Sequence, residues 1–281
     1  MNKNIVVASG KGGTGKTTVA VNLAWAMKGQ TRLLDCDVEE PNAHLFVKPD
    51  ILHRQEVTVP VPSIDEQRCT QCGACARACR YHALAAVKGK VLTFPDLCHG
   101  CGACGIVCPS GAIREIPKVI GDVESGRRST LEFVHGRSRV GNAITPPIIR
   151  AVKQHVSRDR INLLDAPPGT SCPFVTTLQH ADFCILVTEP TPFGLHDLSL
   201  SVDVLRQVGV DFGVVINRAD LGSDMVHRYC AQQQIDLFAE IPFDREIASA
   251  CATGEILIEA LPHYRQMFHD LIYKIIERTL A

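Results

Sequence analysis

The 281-residue chain lacks any marked excess of charge: 29 Lys and Arg stand against 30 Asp and Glu, a formal net charge of -1. A sequence so near neutrality has no bulk attraction for nucleic acid or for an anionic membrane surface. Nor does it hold an apolar run approaching the roughly 20 residues that a membrane span needs, although 46% of its residues are hydrophobic. A secretory h-region is also missing, because Met1-Asn2-Lys3 leads straight into a short strand. These absences lead us to expect a soluble, cytoplasmic protein with no nucleic-acid partner and no membrane anchor. Its length suffices for one large α/β domain with a small addition.

What is present is a rhythm of short buried strands and helices. Ile5-Val6-Val7-Ala8, Thr31 to Asp35, Arg160 to Asp165, Phe183 to Val187 and Phe212 to Ile216 read as apolar strands separated by helical segments. The fold class this implies is α/β, a mostly parallel sheet covered by helices on both faces. The rhythm breaks between about Pro60 and Pro117, in a stretch rich in Cys, Gly and Ala. A small inserted domain at 63–116 is expected there, dividing the larger domain into 1–62 and 117–281. Leu131 to Val140 reads as half of a hairpin, before a helix beginning near Pro147. Near the C-terminus, Met267/Phe268, Leu271/Ile272 and Ile275/Ile276 form an apolar stripe at spacing four. Its polar face mixes Asp270 and Glu277 with Lys274 and Arg278, so packing on the core is expected rather than membrane targeting.

Two motifs carry chemistry. The first is Gly10-x-x-x-x-Gly15-Lys16-Thr17, the full P-loop pattern, with a strand before it and a helix after it. The backbone from Gly10 through Lys11, Gly12, Gly13, Thr14 and Gly15 to Thr18 would wrap phosphate oxygens at the positive end of the helix. Lys16 would reach the β- and γ-phosphates and the Thr17 hydroxyl would bind Mg²⁺. A second lysine, Lys11, directly follows the first glycine. It is either a solvated lysine at the loop mouth or a cation reaching across the thin wall of Gly12 and Gly13 to a second nucleotide.

The second motif is a repeat. Thirteen cysteines in a chain neither small nor secreted point to metal ligation rather than disulfides. Eight of them form two copies of Cys-x2-Cys-x2-Cys-x3-Cys, at 69–79 and 98–108, the spacing of bacterial-type ferredoxins. By the rule that the fourth cysteine of each run serves the other cluster, one 4Fe–4S cluster takes Cys69, Cys72, Cys75 and Cys108. The other takes Cys98, Cys101, Cys104 and Cys79. Zinc is the alternative, though its sites usually use two spaced pairs rather than triplets. Cys79 is followed by Arg80 where the pattern has proline, and Arg80 and His99 read as solvated. Cys184 reads as a core thiol and Cys172 as structural, while His44, His135 and His196 show no metal spacing.

The loop GKGGTGKTT resembles the deviant Walker A motif of the MinD/ParA ATPases. Asp35-Cys36-Asp37 with Pro41-Asn42 resembles that family's switch I, and Asp165-Ala166-Pro167-Pro168-Gly169 its Walker B and switch II. Asn217-Arg218 and Ile241-Pro242-Phe243-Asp244 resemble the segments around the base. The resemblance covers all but the insertion. It implies that Asp37 orients the attacking water, that Asp165 holds Mg²⁺ through water, and that Asn217 and Pro242 contact adenine. It also implies an ATP-dependent homodimer in which Lys11 reaches the partner's ATP. A MinD-like ATPase with an inserted two-cluster ferredoxin would use ATP, Mg²⁺ and two 4Fe–4S clusters. Three roles compete: ATP-gated electron transfer to a redox partner, assembly or delivery of an iron–sulfur or other metallocofactor, and positioning with the insert as a staple. The paired spacing favours the first, because a donated cluster needs labile, exposed ligands.

Overall fold

The computed structural model describes residues 2–280. The chain opens with β1 (Lys3–Ala8), α1 (Lys16–Ala26), β2 (Thr31–Asp35) and α2 (Ala43–Val47), followed by the long β3 (Asp50–Ile64). The cysteine-rich unit comes next: α3 (Ala74–Ala78), the small hairpin β4 (Leu84–Val87) and β5 (Lys90–Thr93), and α4 (Ala103–Ile106). The chain returns through β6 (Ile113–Arg128) and β7 (Leu131–Ser138) to α5 (Pro146–Lys153), β8 (Ile161–Asp165), α6 (Cys172–Leu178) and β9 (Phe183–Thr188). It ends with α7 (Pro192–Val208), β10 (Phe212–Asn217), α8 (Met225–Gln233), β11 (Leu237–Ile241), α9 (Arg245–Ala252), α10 (Leu257–Ala260) and α11 (Arg265–Arg278).

Nine strands form one sheet in the order β11-β10-β9-β1-β8-β2-β7-β6-β3. Neighbours from β11 to β7 are parallel, while β6 and β3 run antiparallel to their neighbours. The α/β reading is therefore correct. Alternate residues feed two cores, as the period of a strand demands. Ile5, Val7, Leu33, Leu163 and Val215 face α1, α10 and α11, whereas Val6, Ala8, Leu34, Leu164 and Val214 face α5, α6 and α7. Among the described residues no helix is long and apolar enough to cross a membrane.

The hairpin half expected at Leu131 to Val140 is β7, and its partner is β6. The prolines that marked the edges of the insertion lie inside strands. Pro60 in β3 faces Pro117 in β6, so two residues lacking N–H oppose each other, and β3 is an edge strand where such a gap is tolerated. The cysteine-rich unit thus sits at the far end of a two-stranded arm that is itself part of the main sheet.

α11 buries Phe268, Leu271, Ile272, Ile275 and Ile276 against the core. Ile272→Ala should lower stability by about 2–5 kcal/mol through lost burial and a residual cavity, read as a lower denaturant midpoint. A change under about 0.5 kcal/mol, the size expected at a surface site, would mean that this stripe does not pack on the core in solution.

Candidate functional site

A cleft of about 510 Å³ opens at the C-terminal ends of the parallel strands. There α1 carries the chain from β1 toward β2 on one side, while α6 leads to β9 on the other. Such a reversal of direction is where α/β sheets place their ligands. Gly12, Gly13, Gly15, Lys16, Thr17 and Thr18 line the polar end, with Asp37 beside them. Leu45, Ile241, Pro242, Phe243 and Phe268 make the apolar end.

Local sequence explains the loop. Gly15 caps α1 with φ of 90°, and any side chain there would collide with the Asn217 amide. Asn217 Nδ2 donates to Thr14 O at 2.8 Å, and its Oδ1 accepts from Arg218 N at 3.0 Å. One amide hydrogen and one lone pair of Asn217 remain for a ligand. Gly10, Lys11 and Thr14 lie behind the loop rather than in the cleft, against the end of β9 and the start of α7. A side chain at Gly10 would strike the Asp197 backbone. Thr18 Oγ1 lies 3.5 Å from Cys251 Sγ, a thiol on the cleft wall.

Below the loop is a buried charge cluster. Lys16 Nζ donates to Asp165 Oδ1 at 2.7 Å and lies 3.7 Å from Asp37 Oδ2. Asp35 accepts from the backbone N–H of Asp37 and of Ala43, both at 3.0 Å, and so pins the segment between β2 and α2. Asp165 Oδ2 is buried without a hydrogen-bond partner, which fits a carboxylate oxygen that serves a hydrated cation. Burial alone would depress the Lys16 ammonium, but Asp165, Asp37 and Asp35 outweigh it and hold it above its ordinary value. Burial, with Asp165 alongside, pushes the Asp35 carboxyl well above the carboxylate range. Burial lifts Asp37 to about 6 against the opposing pull of Lys16.

From this cluster a polar row crosses the sheet. Asp165 pairs with Asp35, Asp35 with His135, His135 with Glu124 and Glu124 with Arg54, in the registers of β8, β2, β7, β6 and β3. His135 Nε2 lies 2.8 Å from Glu124 Oε2, and the His44 ring of α2 stands 5.1 Å from that of His135. Burial keeps both imidazoles below the ordinary histidine value.

At the end of the arm the eight spaced cysteines sort into two cavities. One is lined by Cys69, Cys72, Cys75 and Cys108, the other by Cys79, Cys98, Cys101 and Cys104. The 29-residue repeat extends to the backbone: Gln71 and Gly100, Gly73 and Gly102, and His82 and Gly111 all have positive φ. Ala83 N donates to Cys79 Sγ and Ala112 N to Cys108 Sγ, each at 3.3 Å. Backbone donors of this kind, Ala112 first, lower the Cys108 thiol below its usual range. His99 is exposed, and its ring stacks on Tyr81 at 3.6 Å, both beside the second cavity. Arg80 is exposed, Cys184 is buried, and Cys172 is exposed at the start of α6.

A family model described as the CobQ/CobB/MinD/ParA nucleotide binding domain matches residues 5–258. The chain belongs to this family. Uncharacterized protein MJ0579 of Methanocaldococcus jannaschii is 33% identical over 260 residues, 91% of each chain. An iron-sulfur cluster carrier protein of Pyrococcus abyssi is 22% identical over 277 residues, 89% of this chain and 77% of that one. The septum site-determining protein MinD of Pyrococcus horikoshii, solved in complex with Mg-ADP, shares the fold. Its TM-score is 0.60 at 20% identity, covering 98% of this chain and 96% of that one. The protein is thus a P-loop ATPase family member of MinD/ParA type.

Sequence reasoning gave no separate role to Asp35, the anchor of the loop after β2, and missed Glu189, which meets Lys11 and Arg218. Both are acids at the carboxyl end of a buried strand in an α/β sheet, a position that the sequence itself marks. The elevated Asp37 carboxyl has a measurable consequence. If Asp37 orients the attacking water, as the resemblance implies, it must be ionised to do so, and kcat/KM for ATP should show an acid limb with a midpoint of about 6. Asp37→Asn should leave weak turnover without that limb. A wild-type limb near the ordinary carboxylate value of about 4 would refute this role for Asp37.

Proposed function

We propose that this protein binds and hydrolyses Mg-ATP and couples its nucleotide state to electron transfer through two 4Fe–4S clusters held by the inserted unit, residues 63–116. The observation that carries the coupled reading is the row from Asp165 to Arg54. It joins the buried charge cluster of the cleft to β6 and β3, the two strands between which the segment with all eight spaced cysteines is inserted.

On this reading the loop backbone and Lys16 hold the phosphates, for which Lys16 exchanges its bond to Asp165. Asn217 keeps its bond to Thr14 and offers its second amide hydrogen to the base, beside Pro242. Thr17 and, through water at its free Oδ2, Asp165 would hold Mg²⁺, which when bound offsets the negative charge of the phosphates. Asp37 orients the attacking water. Lys11 acts on the nucleotide of a second copy in an ATP-dependent homodimer, where a cation offsets the charge developing in the transition state.

The cysteine cavities fit cubane clusters better than zinc. Tetrahedral zinc at about 2.3 Å from each sulfur brings its ligands within about 3.8 Å of one another. Among the described residues no three cysteine sulfurs lie within 4.8 Å of one another, as suits thiolates that each bind a different iron. When bound, the clusters supply one-electron redox chemistry. The electron-transfer partner is a redox or metallocofactor protein. Delivery of a cluster is the second reading, favoured by the likeness to the carrier protein and by the exposure of Cys72 and Cys101.

Anaerobically purified protein should carry about eight iron and eight labile sulfide per chain and keep them when mixed with ATP and an apo-ferredoxin acceptor. Bound zinc, or four iron with all eight cysteines intact, would contradict the two-cluster reading. Passage of iron and sulfide to the acceptor would establish delivery instead.

A further inference from the structure

Lys11 is held within its own chain. Its Nζ lies 3.3 Å from Glu189 Oε2, while Arg218 Nη1 donates to Oε1 of the same carboxylate at 2.6 Å. The Glu189 side chain is 10% exposed, against 34% for Lys11 and 48% for Arg218. A mostly buried anion therefore sits between two partly exposed cations. The placement follows from the fold. Glu189 directly follows β9, in the turn that enters α7 through the Thr191 cap, whose Oγ1 accepts from Gly194 N at 3.0 Å. Bare Gly10 lets the loop lie against α7, so Lys11 emerges on the same seam.

Lys11 cannot serve a nucleotide on another chain while it stays on Glu189. Its departure would strand a buried carboxylate if it were the sole partner, and an unpaired buried charge is strongly unfavourable. Arg218 removes that obstacle. It stays with Glu189, so the lysine is held weakly and can be released.

We propose that Glu189 is a positioning residue that holds Lys11 in cis, and that release of this contact sets the threshold for ATP-driven pairing of two copies of this chain. The inference rests on the reading of Lys11 as a group acting in trans. Glu189→Gln in the full-length protein keeps the side-chain shape and removes the charge. In the nucleotide-free protein, acylation of Lys11 by an amine-reactive ester, followed by peptide mass spectrometry, should become several-fold faster. In sedimentation with a slowly hydrolysed ATP analogue, pairing should begin at a several-fold lower protein concentration. Arg218→Ala should act in the opposite direction, slowing acylation several-fold, because Glu189 then has Lys11 as its one close cation. A merely structural contribution to the seam would move both variants the same way.

Lys11→Ala separates the two levels of inference. If it pairs as the wild type does, the trans reading fails and this proposal fails with it. If it loses pairing while Glu189→Gln labels and pairs like the wild type, or while both variants shift together, the hold by Glu189 is overturned and the trans reading stands.

Discussion

The structure turns on one buried ammonium. Lys16 faces Asp165 and Asp37 directly and Asp35 just beyond them. Three acids against one ammonium crowd negative charge at the floor of the cleft, and burial first, with the neighbouring Asp165 second, raises the Asp35 and Asp37 carboxyls. A cluster so biased favours any added cation. It also holds its neighbours in place, since Asp35 pins the loop that leads to α2 and Asp165 ends the central strand β8. Removing either partner of such a pair leaves an unpaired buried charge, which typically costs about 3–5 kcal/mol. The site and the stability of the carboxyl end of the central strands are therefore one arrangement.

The same registers that align Asp165 with Asp35 carry onward to the arm. A sheet transmits position well because each strand is fixed by its neighbours on both sides. His135 is buried between Asp35 and Glu124, with the His44 ring of α2 against it. A shift of the loop after Asp35 would thus meet the strand that leads to the cysteines. Distant modules joined by a floppy linker would have no such contact.

The elements that the sequence revealed are those with two buried faces. β1, β2, β8, β9 and β10 are continuous apolar runs, and the glycines and lysine of the loop make a pattern with few other uses. The arm was hidden for a physical reason. Residues 50–56 of β3 are exposed, so they show no alternation, and Pro60, Pro62 and Pro117 read as breaks although they lie in paired strands. Repeat spacing was enough to sort the eight cysteines into the two sets that line separate cavities. The partners of Lys11 were not legible, because Glu189 and Arg218 approach it from distant strands and only the fold brings them together.

The central claim is the proposed coupling, in which the nucleotide in the cleft would be felt by iron–sulfur clusters bound at the cysteine cavities of the arm. Redox titration of the cluster-loaded protein, monitored by electron paramagnetic resonance, tests it most directly when run without nucleotide, with ADP and with a slowly hydrolysed ATP analogue. The account predicts that the midpoint potential of at least one cluster moves between these states. Linkage then requires that reducing the clusters change nucleotide affinity by the same factor. Three superimposable titrations would contradict it and leave an ATPase and an iron–sulfur unit that share a chain but act independently.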